Sequence, residues 1–197
     1  PVVSYLVLRG RCRYCHCKIP VRGFFIEIFG GVIGVFCFYR FGFEYETILM
    51  FVIAMILLAI TMIDFDTMTI PDGLNMTMFL VCLVLMFVRQ MSLVDSIIGM
   101  FCISLPMFLL NLVIPDSFGG GDIKLMFASG IALGWKYSLL AAFIGILLAG
   151  SYSIYLLVSK KINKKGHIAF GPYLSIGIFI ALSYGSEIIS WYLNLMM

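Results

Sequence analysis

Two aspartates stand out in the sequence, one at the end of an apolar run and the other directly after three glycines. Asp64 closes an apolar run within residues 61–72, which read TMIDFDTMTIPD, and Asp122 follows three glycines within residues 115–124, which read PDSFGGGDIK. A carboxylate at the carboxyl end of a helix opposes the helix dipole, and an ionisable side chain at a membrane boundary is costly to desolvate. Asp64 and Asp122 are therefore the first candidates for chemistry.

Two carboxylates that come together can perform aspartic proteolysis. At close range they cannot both ionise readily, so they share a proton. One can accept a proton from an attacking water while the other, protonated, hydrogen-bonds the developing oxyanion and protonates the leaving amine. The sequence contains neither a His-Glu-x-x-His nor a Gly-x-Ser-x-Gly pattern, and His16 and His167 are expected to be loop residues.

The three glycines before Asp122 are open to two interpretations. Gly119, Gly120 and Gly121 permit positive φ and allow another backbone, such as a bound peptide, to approach closely. They could equally form a flexible turn before a capped helix that begins at Asp122. A second carboxylate on the same membrane face favours the first interpretation.

Neighbouring charged residues have more ordinary explanations. Asp72 follows Pro71 at the start of an apolar run, so we interpret it as a helix cap. Asp66 lies two residues after Asp64 and should point elsewhere if the helix continues. Lys124 should lie on a different helix face from Asp122, with its amine extended towards the membrane surface.

The composition identifies the class of protein that must position these residues. Of 197 residues, 62% are hydrophobic and only 12% are charged, and the mean hydropathy is +1.10. Soluble domains average about 25% charged residues, so a soluble globular protein is excluded. The apolar runs do not alternate as the strands of a β-barrel do. The sequence predicts an all-α, polytopic membrane bundle.

Hydropathy predicts about seven spans after a basic head at residues 1–23. The spans cover residues 24–41, 47–64, 74–89, 93–114, 123–135, 138–158 and 168–193, and the fifth is short for a core of about 30 Å. With the head in the cytosol, the outer turns contain only three of the thirteen Lys and Arg residues, namely Arg40, Arg89 and Lys136. The inner segments include Asp116 and a cluster of Lys160, Lys161, Lys164 and Lys165. This bias predicts that Asp64 and Asp122 lie on the cytoplasmic side.

Four motifs, in this order, resemble the prepilin peptidase family of Gly-x-Gly-Asp membrane aspartic proteases. They are the head with Cys12 and Cys15, Asp64 with Ile70-Pro71-Asp72, the run Gly119 to Lys124, and residues 169–174, which read AFGPYL. The resemblance implies that residues 24–197 form the protease domain and that Asp64 and Asp122 are the catalytic pair. It further assigns supporting or substrate-binding roles to Gly119, Gly120, Gly121, Pro71 and Lys124.

The same resemblance implies a substrate and a location. Family members remove the leader peptide from type IV prepilins or pseudopilins at the cytoplasmic side of the bacterial inner membrane. Many then methylate the new N-terminus with S-adenosylmethionine. Proteolysis itself needs no cofactor. The expected partners are the prepilin substrate and membrane lipids, whose anionic headgroups suit the basic rim, and no nucleic acid is expected.

The cysteine head departs from the family pattern. Zinc-binding members have two Cys-x-x-Cys pairs, whereas this chain has only Cys12 and Cys15, with Cys17 as an extra thiol. Structural zinc needs four ligands, so Cys12 and Cys15 are expected to bind zinc only if a segment upstream of Pro1 completes the site. A chain that opens on proline is expected to be part of a longer protein. No disulfide is expected in the reducing cytosol.

Two alternatives remain at the level of sequence. A presenilin-like protease, which cuts within substrate transmembrane helices, shares the Gly-x-Gly-Asp type, but Ile70-Pro71-Asp72 and the cysteine head disfavour it. An ion- or proton-coupled transporter would also use intramembrane carboxylates. It predicts spans broken near the membrane midplane and an internal repeat, and neither is evident in the sequence.

Overall fold

The computed structural model describes residues 2–115, 117–159 and 169–196, which form seven helices and no extended strand. The helices are α1 (Val2–Val7), α2 (Val21–Phe41), α3 (Tyr45–Thr67), α4 (Asp72–Val88), α5 (Leu93–Val113), α6 (Gly120–Val158) and α7 (Gly171–Met196). The predicted all-α membrane fold is confirmed. Outside the described residues lie the predicted loop residues Asp116, Lys160, Lys161, Lys164, Lys165 and His167.

The long helices have the length and composition of membrane spans. Within the described ranges, α2, α3, α5, α6 and α7 are each long and apolar enough to cross a bilayer, and the apolar α4 is shorter, at 17 residues. Many of their large apolar side chains are exposed, as lipid-facing side chains are. The protein is therefore a multi-pass membrane protein, and its helix bounds lie within a few residues of the hydropathy estimate.

A break in α6 lies near the end of the first of the two apolar runs predicted at residues 123–135 and 138–158. Gly134 has φ 65° and ψ 177°, which is non-helical and in the region that favours glycine. The part of α6 before Gly134 is about 21 Å long at 1.5 Å per residue, and the part after it is longer. The short fifth span of the hydropathy estimate corresponds to the first part.

The chain divides into two compact units, Pro1–Phe51 and Val52–Met197. In the first unit, α1 packs on α2 through the rings of Tyr5 and Phe24, whose centroids are 4.7 Å apart. The second unit contains Asp64 and Asp122, and its centre is α6, which packs against α4, α5 and α7. The backbones of α5 and α6 meet at Gly99 and Gly130, where a Cβ on either residue would collide with the carbonyl oxygen of the other.

Candidate active site

Asp64 lies one turn before the end of α3 and is held by a residue far away in the chain. Its side chain is buried, and Oδ2 accepts a hydrogen bond of 2.9 Å from the main-chain N–H of Gly171, the first residue of α7. Its own carbonyl accepts the N–H of Met68 at 2.9 Å. Met68 has φ 51°, an uncommon value for a non-glycine residue, and ends the helix there. The carboxylate is thus oriented by the start of α7.

Asp122 lies in the first turn of α6, which begins at Gly120, two residues earlier than the sequence suggested. Its N–H donates to the carbonyl of Gly119 at 3.1 Å. The side chain is buried, and Oδ1 has no hydrogen-bond partner among the described residues. The beginning of a helix favours negative charge, so this position tolerates a buried carboxylate.

The two aspartates face the same cavity, which has a volume of about 590 Å³. They are near enough for their charges to act on each other, although 57 residues separate them in the sequence. The other lining residues are Met68, Asn111, Ser117, Phe118, Gly119, Gly120, Ala149, Ser153, Ala169 and Phe170. The cavity therefore combines a carboxylate pair with apolar and hydroxyl-bearing walls, and it has room for water and part of a peptide.

The glycine run serves close packing rather than unusual backbone angles. None of Gly119, Gly120 and Gly121 has positive φ, so that part of the sequence interpretation is wrong. A Cβ on Gly121 would lie 2.7 Å from Cβ of Ile70, and one on Gly119 would lie 2.9 Å from Oδ2 of Asp122. At Gly120 a Cβ would meet nothing within 4 Å. Space therefore requires glycine at position 121, whereas a Cβ at position 119 would displace the Asp122 carboxylate.

Asp72 and Lys124 form an ion pair that local sequence could not predict. Pro71 holds the cap position of α4, and no side chain caps the helix, so the interpretation of Asp72 as a cap is wrong. Instead Oδ1 of Asp72 accepts a 2.6 Å bond from Nζ of Lys124, which is therefore not simply extended towards the membrane surface. Both side chains are mostly exposed. Neither they nor Pro71 line the cavity, and Asp66 does not line it either.

Three residues of this region were not assigned roles from the sequence. Gly171 lies in the quoted AFGPYL motif, but its contact with Asp64 depends on the fold. Asn111, in the last turn of α5, accepts the N–H groups of Ser117 at 3.1 Å and Phe118 at 3.5 Å through Oδ1, and so supports the loop before the glycine run. Asn75 contacts Gly121. For Asn75 and Asn111, the sequence feature that could have identified them is a polar asparagine within an apolar span.

The cysteine head does not have the donor set that zinc requires. Cys15 is joined to Cys17 by a disulfide, contrary to the expectation of free thiols, and Cys12 remains a free thiol. Backbone hydrogen bonds from Cys15 and Tyr14 lower the pKa of the Cys12 thiol. In the described part of the chain, no three His, Cys, Asp or Glu side chains are grouped to hold a metal. The predicted zinc ligands Cys12 and Cys15 therefore do not by themselves fit a zinc site in this arrangement, and zinc binding completed by an upstream segment stays a prediction.

Fold and site together define a class: a multi-pass helical membrane protein in which two buried aspartates from separate helices share one cavity. Comparison with known proteins identifies the family within this class. Residues 51–154 match the model of the type IV leader peptidase family, and residues 1–41 match the bacterial peptidase A24 N-terminal domain. The chain belongs to the type IV leader peptidase family and is a membrane peptidase. No solved structure matches it.

Relatives from several bacteria align with nearly the whole chain. A prepilin leader peptidase/N-methyltransferase of Aeromonas hydrophila is 31% identical over 98% of this chain and 69% of its own length. The protein of that name from Legionella pneumophila is 33% identical over 98% of this chain and 70% of its own length. The one from Neisseria gonorrhoeae is 28% identical over the same shares.

Proposed function

We propose that this peptidase removes the leader peptide from type IV prepilins or pseudopilins, with Asp64 and Asp122 as its catalytic pair. The observation that carries the proposal is the convergence of these two buried carboxylates on one cavity in a chain of the leader peptidase family. The names of the relatives identify prepilins as their substrates. Because these relatives align with nearly the whole chain, they support the same substrate class here.

The proposed reaction is hydrolysis of one peptide bond by an activated water. One aspartate accepts a proton from the water as its oxygen attacks the scissile carbonyl, and the other donates a proton to the leaving amine. In this proposal the two aspartates hold one proton between them, and the Gly171 N–H stabilises negative charge on Asp64. The hydroxyl- and amide-bearing wall of the cavity, which includes Asn111 and Ser153, would face the substrate backbone.

The direct test is cleavage of a prepilin by the protein in membranes. Asp64→Asn and Asp122→Asn should each lower cleavage by at least about 1,000-fold, because either change removes one of the two proton-transfer groups. Asp66→Asn is the matched control, since Asp66 lies on the same helix but outside the cavity, and it should stay within a few-fold of the wild type. Full activity in either of the first two variants, at equal protein level, would contradict the assignment.

We further propose the bacterial inner membrane as the location, with cleavage on its cytoplasmic side. The distribution of Lys and Arg in the sequence supports this orientation. Inverted membrane vesicles should process a prepilin added from outside, whereas right-side-out vesicles should not until they are permeabilised. Equal processing by both, or processing only by right-side-out vesicles, would contradict the orientation.

N-methylation of the mature N-terminus stays a prediction, which the names of the relatives support. The head has its own cavity of about 590 Å³, lined by Val7, Leu8, Arg9, Arg11, Cys12, Arg13 and His16. Three arginines and no carboxylate are a poor match for the sulfonium cation of S-adenosylmethionine, so we assign no residue to that cofactor. Mass spectrometry of the mature N-terminus after incubation with S-adenosylmethionine tests the activity directly.

The other readings of the carboxylate pair predict different products. A presenilin-like enzyme would cut within the substrate helix, which mapping of the new N-terminus distinguishes from cleavage at the leader junction. A transporter would move ions across reconstituted vesicles without cleaving peptide. The break at Gly134 lies at the end of the predicted span 123–135 rather than near its middle, so it does not favour the transporter.

A further inference from the structure

Asn75 connects the first turn of α4 to the glycine run that precedes Asp122. Its side chain is buried, and Nδ2 donates a 3.3 Å hydrogen bond to the carbonyl of Gly121. Gly121 is the residue immediately before Asp122, so this bond acts on the peptide unit that carries the aspartate. The main-chain N–H of Asn75 donates to the carbonyl of Pro71 at 3.3 Å, which places the amide in the turn after Ile70.

The same turn contacts the backbones on both sides of the carboxylate pair. Cβ of Ile70 lies 2.7 Å from the position that a Cβ on Gly121 would occupy, and Cδ1 of Ile70 lies 3.3 Å from that position on Gly171. Gly171 donates its N–H to Asp64, whereas Gly121 precedes Asp122. Ile70 therefore lies between the two segments that orient the two aspartates, and Asn75 holds one of those segments against it.

Stability alone does not account for an asparagine at position 75. Oδ1 of Asn75 is buried and has no hydrogen-bond partner among the described residues, so only one end of the amide is satisfied. A buried polar group that is left unpaired destabilises the folded state. An apolar side chain of similar volume would avoid this cost, but it would lose the bond to Gly121.

We propose that Asn75 is a positioning residue for catalysis, which holds the Gly121 peptide against Ile70 and thereby sets Asp122 relative to Asp64. This inference rests on the proposed function and deepens it. Asn75 does not line the cavity, so it does not touch the substrate in this proposal. Its loss should therefore slow the chemical step and leave substrate binding almost unchanged, because misplacement of a reacting group by about 1 Å can cost about 100-fold in rate.

The test compares variants of Asn75 in the full chain, in membranes, with a prepilin substrate. Asn75→Leu keeps the branched heavy-atom outline of the side chain and removes the donor, and it should lower kcat by about tenfold or more with KM within about twofold of the wild type. Its thermal unfolding temperature should not fall, and its pH–rate profile should shift because the spacing of the two carboxylates changes. Asn75→Gln retains an amide donor and should recover part of the lost kcat.

Thr77→Val is the matched control on the same helix. Thr77 is exposed and its hydroxyl donates to the local carbonyl of Gly73, on its own helix, so kcat and KM should both be retained. Three results would overturn the positioning role. They are wild-type kcat in Asn75→Leu, a loss of kcat that only follows a lower folded fraction, and an Asn75→Gln variant as slow as Asn75→Leu. If Asn75→Leu does not accumulate, Asn75→Ser provides the same comparison, because its hydroxyl is too short to reach Gly121. A wild-type protein that cleaves no prepilin contradicts the proposed function, whereas an active wild type with unaffected variants contradicts only this inference.

Discussion

The main-chain amide of Gly171 donates a 2.9 Å hydrogen bond to Oδ2 of Asp64, across 107 positions of the sequence. The contact is so close that a Cβ on Gly171 would lie 2.7 Å from the same carboxylate oxygen. One residue thus supplies a donor to Asp64 and must lack a side chain to do so. The start of α7 and the end of α3 are joined at the carboxylate itself.

Gly171→Ala should therefore impair catalysis more than stability. The added methyl group would displace the Asp64 carboxylate, and we expect cleavage to fall by about 100-fold or more. Gly150→Ala is the control, because a Cβ there meets nothing within 4 Å and alanine favours a helix. The measurement is prepilin cleavage per folded protein. Wild-type cleavage by Gly171→Ala would show that the carboxylate tolerates displacement.

Neighbouring glycines of the run before Asp122 should differ in their tolerance of alanine. Gly121→Ala places a Cβ 2.7 Å from Cβ of Ile70. The start of α6 would have to move away from Ile70 and would carry Asp122 with it, so we expect kcat to fall by at least about tenfold. Gly120→Ala meets no atom within 4 Å and should lose clearly less, although it faces the cavity. Equal losses in the two variants would indicate that backbone flexibility, and not space, is what the run provides.

Helix positions followed directly from the apolar runs, because a membrane span needs length and hydrophobicity, both of which are local properties. The break at Gly134 appeared in the sequence as a short fifth span. Asp64 was also recognisable from local sequence, since a carboxylate at the end of a helix opposes the dipole, whereas Asp122 could have been a helix cap and was singled out by its pairing with Asp64. Their convergence on one cavity required the packing of α3 and α6 into the same unit.

Contacts between residues that are far apart in the chain could not be predicted from local sequence patterns. Asp72 resembled a cap because the capping pattern lies within a few residues, whereas its actual partner, Lys124, is 52 positions away. The glycine run was interpreted as room for positive φ and for a bound peptide, because the side chain of Ile70 that it accommodates is not in the same stretch. The two asparagines, Asn75 and Asn111, were visible as polar residues in apolar spans, but their hydrogen-bond partners were not.

The ion pair of Asp72 and Lys124 should contribute little to stability. Their side chains are 75% and 56% exposed, and pairs in such surroundings contribute about 0–1 kcal/mol. A double-mutant cycle of Asp72→Ala and Lys124→Ala, measured by thermal unfolding in detergent, should yield a coupling energy below about 1 kcal/mol that decreases with salt. A coupling energy several times larger would require the pair to be shielded from solvent.

Alkylation should distinguish the three thiols of the head. The pKa of the Cys12 thiol is lowered by backbone hydrogen bonds from Cys15 and Tyr14, so a larger fraction is thiolate at neutral pH and Cys12 should react faster than an ordinary thiol. Cys15 and Cys17 should become reactive only after reduction of their disulfide. Peptide mapping after iodoacetamide treatment, with Cys12→Ser as control, measures both. Three equally reactive thiols without reductant would contradict the pairing.

The crossing of α5 and α6 should be the least tolerant part of the membrane bundle. Gly99 and Gly130 face each other so closely that a Cβ on either would run into the backbone of the partner helix. Ser138 reinforces the crossing by donating its hydroxyl to the carbonyl of Gly99 at 3.3 Å. Because helix association in lipid depends on such close packing, Gly99→Ala or Gly130→Ala should sharply reduce the amount of folded protein in membranes. Gly31→Ala, in an open part of α2, should accumulate normally, and normal accumulation of Gly99→Ala would mean that the two helices can separate without loss of the fold.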